Sequence, residues 1–375
     1  MIRSSRANLP QAPIGEGELA KYRILGISFD HMHMGDLLRQ VADHPDAEIA
    51  GIYDPDPARM AAAIAAFGIP KNRVFTDLDA CLQTEADLAI VCSATAGHAK
   101  SVAAIAPHGL HILLEKPFAA NVADARAMMA ATQAAGKLLA INWPLAWYPS
   151  HNMAKRLVDQ GAIGDLIEVH FHDGNRGPLY HLADKVVVSP EEVERQKPGS
   201  WWYKKASGGG SLLDYLGYGT TLGTWFMNGQ EPLEVTCMVD EVPGIEVDQH
   251  SITICRYARG LSKFETRWGT LTDPWTLQPQ PKCGFVLVGT EGSISSYDYD
   301  AFVTMQTRAT PEPRQIPAEP LPLGRQKPVE YMLASIENGE KITGPLDPAI
   351  SLIGQRIIDS AVQAALEKRS VRLVP

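Results

Sequence analysis

From residue 22 the chain alternates short apolar runs with amphipathic ones. "YRILGIS", "AEIAGIYD", "RVFTD", "ADLAIVCSA", "LHILLEKP" and "KLLAIN" read as strands. Between them, "MGDLLRQVADHP", "PARMAAAIAAFGI", "LDACLQTE", "GHAKSVAAIAPHG" and "NVADARAMMAATQAAG" carry helical spacing, several ending at Gly or Pro. Strands separated by helices of this length imply parallel βαβ units with right-handed crossovers. The strands are apolar without interruption, which fits burial on both faces. Residues 22–142 therefore predict an open, doubly wound parallel sheet.

After Asn142 the texture changes. "SHNMAKRLVDQGAIG" is one more helix, and "DLIEVHFHDGN" alternates as a half-exposed strand does. Residues 176–210 are polar and rich in Lys, Trp, Tyr and Gly, and predict a loop. "SLLDYLGYGTTLGTWFMNG" reads as a helix with several glycines. The runs "LEVTCMVDEV", "QHSITICRYARG", "LSKFETRWG", "CGFVLVGTEG" and "SISSYDYD" follow one another without helices, which predicts antiparallel pairing. "TPEPRQIPAEPLPLG" reads as a surface connection, and "VEYMLASIENG" and "AISLIGQRIIDSAVQAALEKR" as closing helices. The predicted organisation is an N-terminal arm (1–21), a dinucleotide-binding domain (22–142) and an α+β domain for substrate and oligomer contacts (143–375).

Composition narrows the function. A length of 375 residues suits two domains or three. A formal net charge of −9 argues against non-specific nucleic-acid binding, which needs basic surface. No window is long and apolar enough to span a membrane. The first 21 residues lack the apolar core of a signal peptide, and read as a disordered leader or as an arm wrapping a neighbouring subunit. Five cysteines without a C-x-x-C pair argue against a disulfide framework or zinc ribbon. The cytoplasm is the expected compartment.

Three stretches carry candidate chemistry. The loop after the first strand, "GISFDHMHMG", stands where a dinucleotide pyrophosphate is held in a doubly wound sheet. It offers Gly26 for the tight turn, Ser28 in place of a second glycine, and His31 in place of a third. The helix N-terminus supplies N–H groups and a positive dipole in either case. Asp54 ends the second strand, where a carboxylate accepts ribose hydroxyls and repels a 2′-phosphate, favouring NAD over NADP; otherwise it is a turn Asp before Pro55. In the second stretch, Glu115-Lys116-Pro117 ends a strand facing the ligand crevice. A lysine there can stabilise an alkoxide, though an isolated Glu-Lys pair is more often surface. The third, "GGGSLLDYLGYGTT", sets Asp214 and Tyr218 at i and i+4 on one helix face. A nearby ammonium would lower the Tyr218 pKa enough for acid/base work; the alternative is a core-facing helix. Asp30, His31 and His33 provide two metal ligands at most without strain, and no second cluster is evident, so no metal site is expected.

Together these stretches resemble the Gfo/Idh/MocA oxidoreductase family. "GLHILLEKPFA" is similar to its A-G-K-H-V-L-x-E-K-P-x-A strand, "CSATAGHAKS" to its T-P-N-x-x-H turn, "SGGGSLLDYLGY" to its G-G-G-x-L-x-D-x-G-x-H signature, and "VLVGTEGSI" to its G-T-x-G segment. The resemblance covers roughly residues 22–370. It implies an NAD(P)-binding Rossmann domain, a C-terminal domain with a large open sheet, and hydride transfer at a sugar, polyol or related secondary alcohol. It also implies a homodimer or homotetramer that pairs across the open sheet. The implied catalytic residues are Lys116 and Asp214. Tyr218 stands where most members have a histidine, as in a subset similar to glucose–fructose oxidoreductase, and His181 is the alternative base. The expected cofactor contacts are Gly26, Ser28, Phe29, His31, Asp54, Ser93, Ala94, His98, Glu115, Lys116, Asn142 and Trp143, the last near where the family has an arginine. Arg176, Tyr180, His181, Trp202 and Lys204 form a polar-aromatic segment suited to a sugar. Two rival readings keep the fold: a retained NAD used transiently in redox-neutral elimination or isomerisation, and a non-enzymatic ligand sensor.

Overall fold

The computed structural model describes residues 22–375, so the N-terminal arm lies outside the described residues. Six parallel strands form the first sheet: β1 (Tyr22–Ile27), β2 (Ala47–Tyr53), β3 (Val74–Phe75), β4 (Leu88–Val91), β5 (His111–Glu115) and β6 (Leu139–Asn142). Their order is β3-β2-β1-β4-β5-β6. The order reverses between β1 and β4, which opens a crevice beyond the carboxyl ends of the strands. Every residue of β4 and β6 is buried, as strands covered on both faces require.

The second sheet has nine strands: β7 (Leu166–Asn175), β8 (Glu234–Val239), β9 (His250–Arg256), β10 (Leu261–Trp268), β11 (Gly284–Gly289), β12 (Gly292–Tyr297), β13 (Phe302–Thr307), β14 (Thr310–Pro317) and β15 (Val371–Arg372). They lie in the order β14-β13-β12-β11-β7-β10-β9-β8-β15. β7 and β10 run parallel; the other pairs are antiparallel. One face is packed and one solvated, so β10 alternates: Ser262, Phe264, Thr266 and Trp268 are buried while Leu261 and Lys263 face out. The helix Ser211–Phe226 lies on the packed face. Its glycines admit bulk from both sides: a Cβ on Gly217 would stand 2.4 Å from Trp143 Cη2, and one on Gly219 2.4 Å from Phe171 Cδ1.

Two expectations change. The Pro-rich stretch is not purely a connection, because Thr310–Pro317 is edge strand β14. Prolines are tolerated at an edge, and almost every residue there is exposed, so no alternation marked it. Residues 176–210 hold a helix, Pro190–Gln196, capped by Ser189, whose hydroxyl accepts from Glu192 N. The two sheets are tied through the C-terminal helix Pro348–Glu367. Ala119 N donates to Gln355 Oε1 (3.2 Å), Val122 N to Asp359 Oδ2 (2.8 Å) and Trp143 Nε1 to Ser351 Oγ (3.0 Å). These bonds fix β5 and β6 against the second sheet, which positions the site.

Candidate active site

Lys116 follows directly on β5 and points into the crevice. Asp214 sits in the first turn of the helix Ser211–Phe226, on the other side of the cleft. The two form a buried ion pair, each 4 % exposed. Trp268, at the end of β10, donates its indole N–H to Asp214 Oδ2 at 3.2 Å. The Lys116 ammonium lies 5.3 Å from the Tyr218 ring centroid, 5.5 Å from Trp202 and 5.8 Å from Tyr215. A charge taken out of water needs such partners.

The glycine run positions this helix. Gly208 and Gly210 hold positive φ (80° and 108°), and a Cβ on Gly209 would stand 2.1 Å from Trp202 O. The close approach is thus to the chain's own backbone. Asp248 anchors the helix start: its Oδ2 accepts from Leu212 N at 2.8 Å and its carbonyl from Ser211 N at 3.0 Å.

Tyr218 lines the cleft beside Lys116, but its titration differs from expectation. Burial, with the charges of Glu115, Asp214 and Asp173, pushes the phenol well above its ordinary value of 10. The ammonium expected to lower it is tied to Asp214. Tyr218 is therefore a proton donor at neutral pH. His181 also lines the cleft. Burial, with the positive field of Lys185 and its neighbours, brings its pKa down to about 3, so the ring is neutral; its Nδ1 is buried and unpartnered.

Of the substrate segment, His181 and Trp202 reach the cleft. Arg176 does not line it: its Nε and Nη2 both engage Asp273 (2.7 and 2.6 Å), and its guanidinium lies over Tyr180. Lys204 turns outward onto Glu246 at 3.1 Å. Trp268 escaped the sequence reading, although the alternation of "LSKFETRW" places it on the same inward face as Phe264 and Thr266. His33 proves to be a site residue too: its Nδ1 is 2.9 Å from Glu115 Oε1, and Asn142 Nδ2 donates to Glu115 Oε2 at 2.9 Å. Burial alone would raise the Glu115 pKa. The neighbouring His33, Lys116 and Asn142 outweigh it and hold the carboxylate below its usual range.

The dinucleotide end differs more from expectation. Gly26 lies inside β1, paired with Ile52 and Ile90. A Cβ there would crowd Met34 Sδ at 3.1 Å and Leu38 Cδ2 at 3.3 Å, so this glycine serves helix–sheet packing. The tight turn falls to Ser28 instead, at φ 68°, and the loop from Ser28 to Met32 has no glycine.

Its donors are engaged within the chain. Ser28 N donates to Tyr53 O (2.8 Å), Phe29 N to Asp54 Oδ2 (2.7 Å) and His31 N to Cys92 O (3.0 Å). Asp54 is fully buried, and its Oδ1 accepts from Asp56 N at 2.9 Å, so it locks the loop rather than facing a ribose. The Asp30 carboxylate accepts from Ser28 Oγ (3.0 Å) and Ala94 N (2.9 Å) and pairs with Arg59. Trp201 Nε1 closes over this loop by donating to Asp30 O at 3.0 Å. His98 is a staple between loops: its ring nitrogens bond Phe118 O (3.2 Å) and Ser93 O (3.0 Å). Trp143 is buried with its indole on Ser351 and its ring edge toward Tyr218. The crevice framework thus fits a dinucleotide, while the loop is closed, with a carboxylate bound where backbone and hydroxyl donors would meet an anion. Opening Asp30 frees Ser28 Oγ, Ala94 N and Arg59 together.

Residues 21–143 match the model of an oxidoreductase family with an NAD-binding Rossmann fold, and residues 151–295 match that of the Gfo/Idh/MocA C-terminal domain. D-apiose dehydrogenase of Paraburkholderia graminis is 37 % identical over 123 residues, 32 % of this chain and 32 % of that protein. Inositol 2-dehydrogenase 1 of Saccharopolyspora erythraea is 30 % identical over 156 residues, covering 41 % and 46 %. The chain spans less than half the length of these relatives. Among solved structures, levoglucosan dehydrogenase in complex with NADH and levoglucosan superposes with a TM-score of 0.73 at 18 % identity, over 94 % of this chain and 99 % of that one; at that identity the likeness is of fold.

Proposed function

Because the chain belongs to the Gfo/Idh/MocA oxidoreductase family, whose first domain is an NAD-binding Rossmann fold, we propose that it transfers a hydride between NAD and a secondary hydroxyl or keto group of a sugar, polyol or related small molecule. Bound NAD would supply or accept that hydride. The observation that carries the reading is the buried Lys116–Asp214 pair, set across a cleft lined by Tyr218, His181 and Trp202. Such a pair is kept out of water only by close partners, and its cation faces the place where oxygen charge develops.

The side chains divide the work. Lys116 holds the substrate oxygen and stabilises negative charge on it. Tyr218, which keeps its proton, donates to a keto oxygen during reduction. Asp214, fixed by Trp268, orients Lys116. His181 and Trp202 offer a neutral ring edge and an apolar face to a sugar. The relatives named for apiose and inositol support a carbohydrate-like substrate. Exposed Met238, Ile252 and Ile254 on neighbouring strands β8 and β9 support self-association through the outer sheet face.

One observation favours a second reading. A loop covered by Trp201 would also slow the release of a dinucleotide once bound, as a redox-neutral reaction on a retained NAD requires. Both readings are tested by following NADH at 340 nm with sugars, polyols and their keto forms. Net turnover of NADH supports hydride transfer to an external substrate. Product formation with no net change of NADH supports the retained cofactor. Lys116→Ala that binds NADH yet keeps near-normal turnover would remove the proposed role of Lys116 in either case.

A further inference from the structure

Where the cleft meets the loop after β1, three ligand-type side chains converge. His31 precedes the helix His33–Asp43, His33 opens it, and Glu115 ends β5. One ligand atom from each lies within 4.8 Å of the other two. His33 Nδ1 is 2.9 Å from Glu115 Oε1, and His31 Nε2 is 3.9 Å from the same oxygen. His31 is 3 % exposed, and its Nε2 has no hydrogen-bond partner. At 3.9 Å the carboxylate is too far to serve as one. A buried ring nitrogen left without a partner is costly and calls for an explanation.

We propose that His31, His33 and Glu115 bind a divalent transition-metal ion of the zinc class. Two imidazoles and one carboxylate are a donor set that such ions accept, with positions left for water or substrate. Metal–nitrogen bonds of about 2.0–2.1 Å set ligand atoms roughly 3.3 Å apart around a tetrahedral ion. The observed separations bracket that value, so shifts of about 1 Å in the side chains close the site.

Two features support it. Asn142 fixes the second oxygen of Glu115, as outer-shell groups orient carboxylate ligands. The adjacent Lys116 charge is offset by Asp214. Two bonds are given up: the His33 Nδ1–Glu115 Oε1 hydrogen bond, whose ring proton moves to His33 Nε2 as both atoms turn to the ion, and, because ligation through His31 Nε2 moves that ring's proton to Nδ1, the bond that His33 N donates to His31 Nδ1 at 3.2 Å. The second bond is long and lies at a helix start, where water can replace it. The expectation of two ligands at most is thereby revised, because Glu115 arrives from a strand distant in sequence. The open side of the ion would face His181, whose Nδ1 is also unpartnered, and the substrate oxygens in the cleft.

This site does not depend on hydride transfer, and its test reads metal alone. The full chain, with any affinity tag removed, is stripped with chelator and titrated with Zn²⁺ against a chromophoric competitor; Co²⁺ is then followed by its visible d–d absorption. The expected result is about one equivalent of tightly bound Zn²⁺ and a Co²⁺ spectrum of four- or five-coordinate type. His33→Ala should abolish the spectrum and weaken Zn²⁺ at least about 100-fold. Asn142→Ala should weaken it about 10-fold or more. His33→Asn, which can keep a hydrogen bond to Glu115, separates ligand loss from misfolding, with circular dichroism as the check on fold. Stoichiometric binding absent from the wild-type chain, or unchanged in a folded His33→Asn variant, would overturn the assignment.

Discussion

The crevice has two ends built on opposite plans. At the inner end, Lys116 from the end of β5 and Asp214 from the helix Ser211–Phe226 meet in a buried pair and leave Tyr218 and His181 facing a cleft. At the loop end, the N–H groups of Ser28, Phe29 and His31 donate to Tyr53 O, Asp54 Oδ2 and Cys92 O, and Asp30 holds the Ala94 N–H. The first arrangement turns its side chains toward the cleft, where a ligand meets them. The second satisfies its donors inside the chain, so a ligand must displace something to bind. The same fold therefore positions chemistry rigidly at one end and makes cofactor entry a competition at the other.

Substitutions can separate the two ends. The largest effect should come from Lys116→Ala, with kcat falling about 10²–10³-fold in steady-state assays while NADH affinity changes by less than about threefold. Tyr218→Phe removes the proton donor and should lower kcat about 10²-fold, with kcat/KM falling equally for reduction and oxidation at one pH. Gly217→Ala drives a methyl into buried Trp143. It should cost about 1–3 kcal/mol in denaturant unfolding and disturb the inner end without touching the loop. Asp30→Ala should act oppositely, tightening NADH about tenfold, about 1.4 kcal/mol, with little change in stability.

The smallest effect concerns pH. Burial pushes the Asp248 carboxyl up to about 7 from an ordinary 3.8. The folded chain then keeps a proton that the unfolded chain loses, so this group's contribution to stability falls as pH rises from about 4 to about 7. Asp248→Asn, which can still accept from Leu212 N, should flatten that slope in thermal melts across the window.

Legibility followed the range of the contacts. β5 and its Glu115-Lys116-Pro117 end, and the helix with Asp214 and Tyr218, were readable because periodicity places each residue on a face and the crevice rule places the strand end. The pair they make was foreseeable because both elements carry one charge toward the same cleft. The loop misled for a local reason: Gly26 was counted as a turn glycine, whereas it pairs within β1 and admits Met34, and Ser28 takes the left-handed turn. No local pattern shows that Asp54 turns back onto Phe29 N, that Arg176 is held by Asp273, or that burial and nearby carboxylates raise the Tyr218 phenol. Those depend on which distant groups arrive, as does Glu115 beside His31 and His33.

The contrast between the two ends is tested most directly by one calorimetric titration of NADH into the wild-type chain, Lys116→Ala and Asp30→Ala. The account predicts similar affinity for the first two and binding about tenfold tighter for Asp30→Ala. Unchanged or weaker binding by Asp30→Ala, with affinity lost in Lys116→Ala, would contradict it. The loop would then not be closed by its own carboxylate, and the inner end would hold the cofactor rather than carry the chemistry.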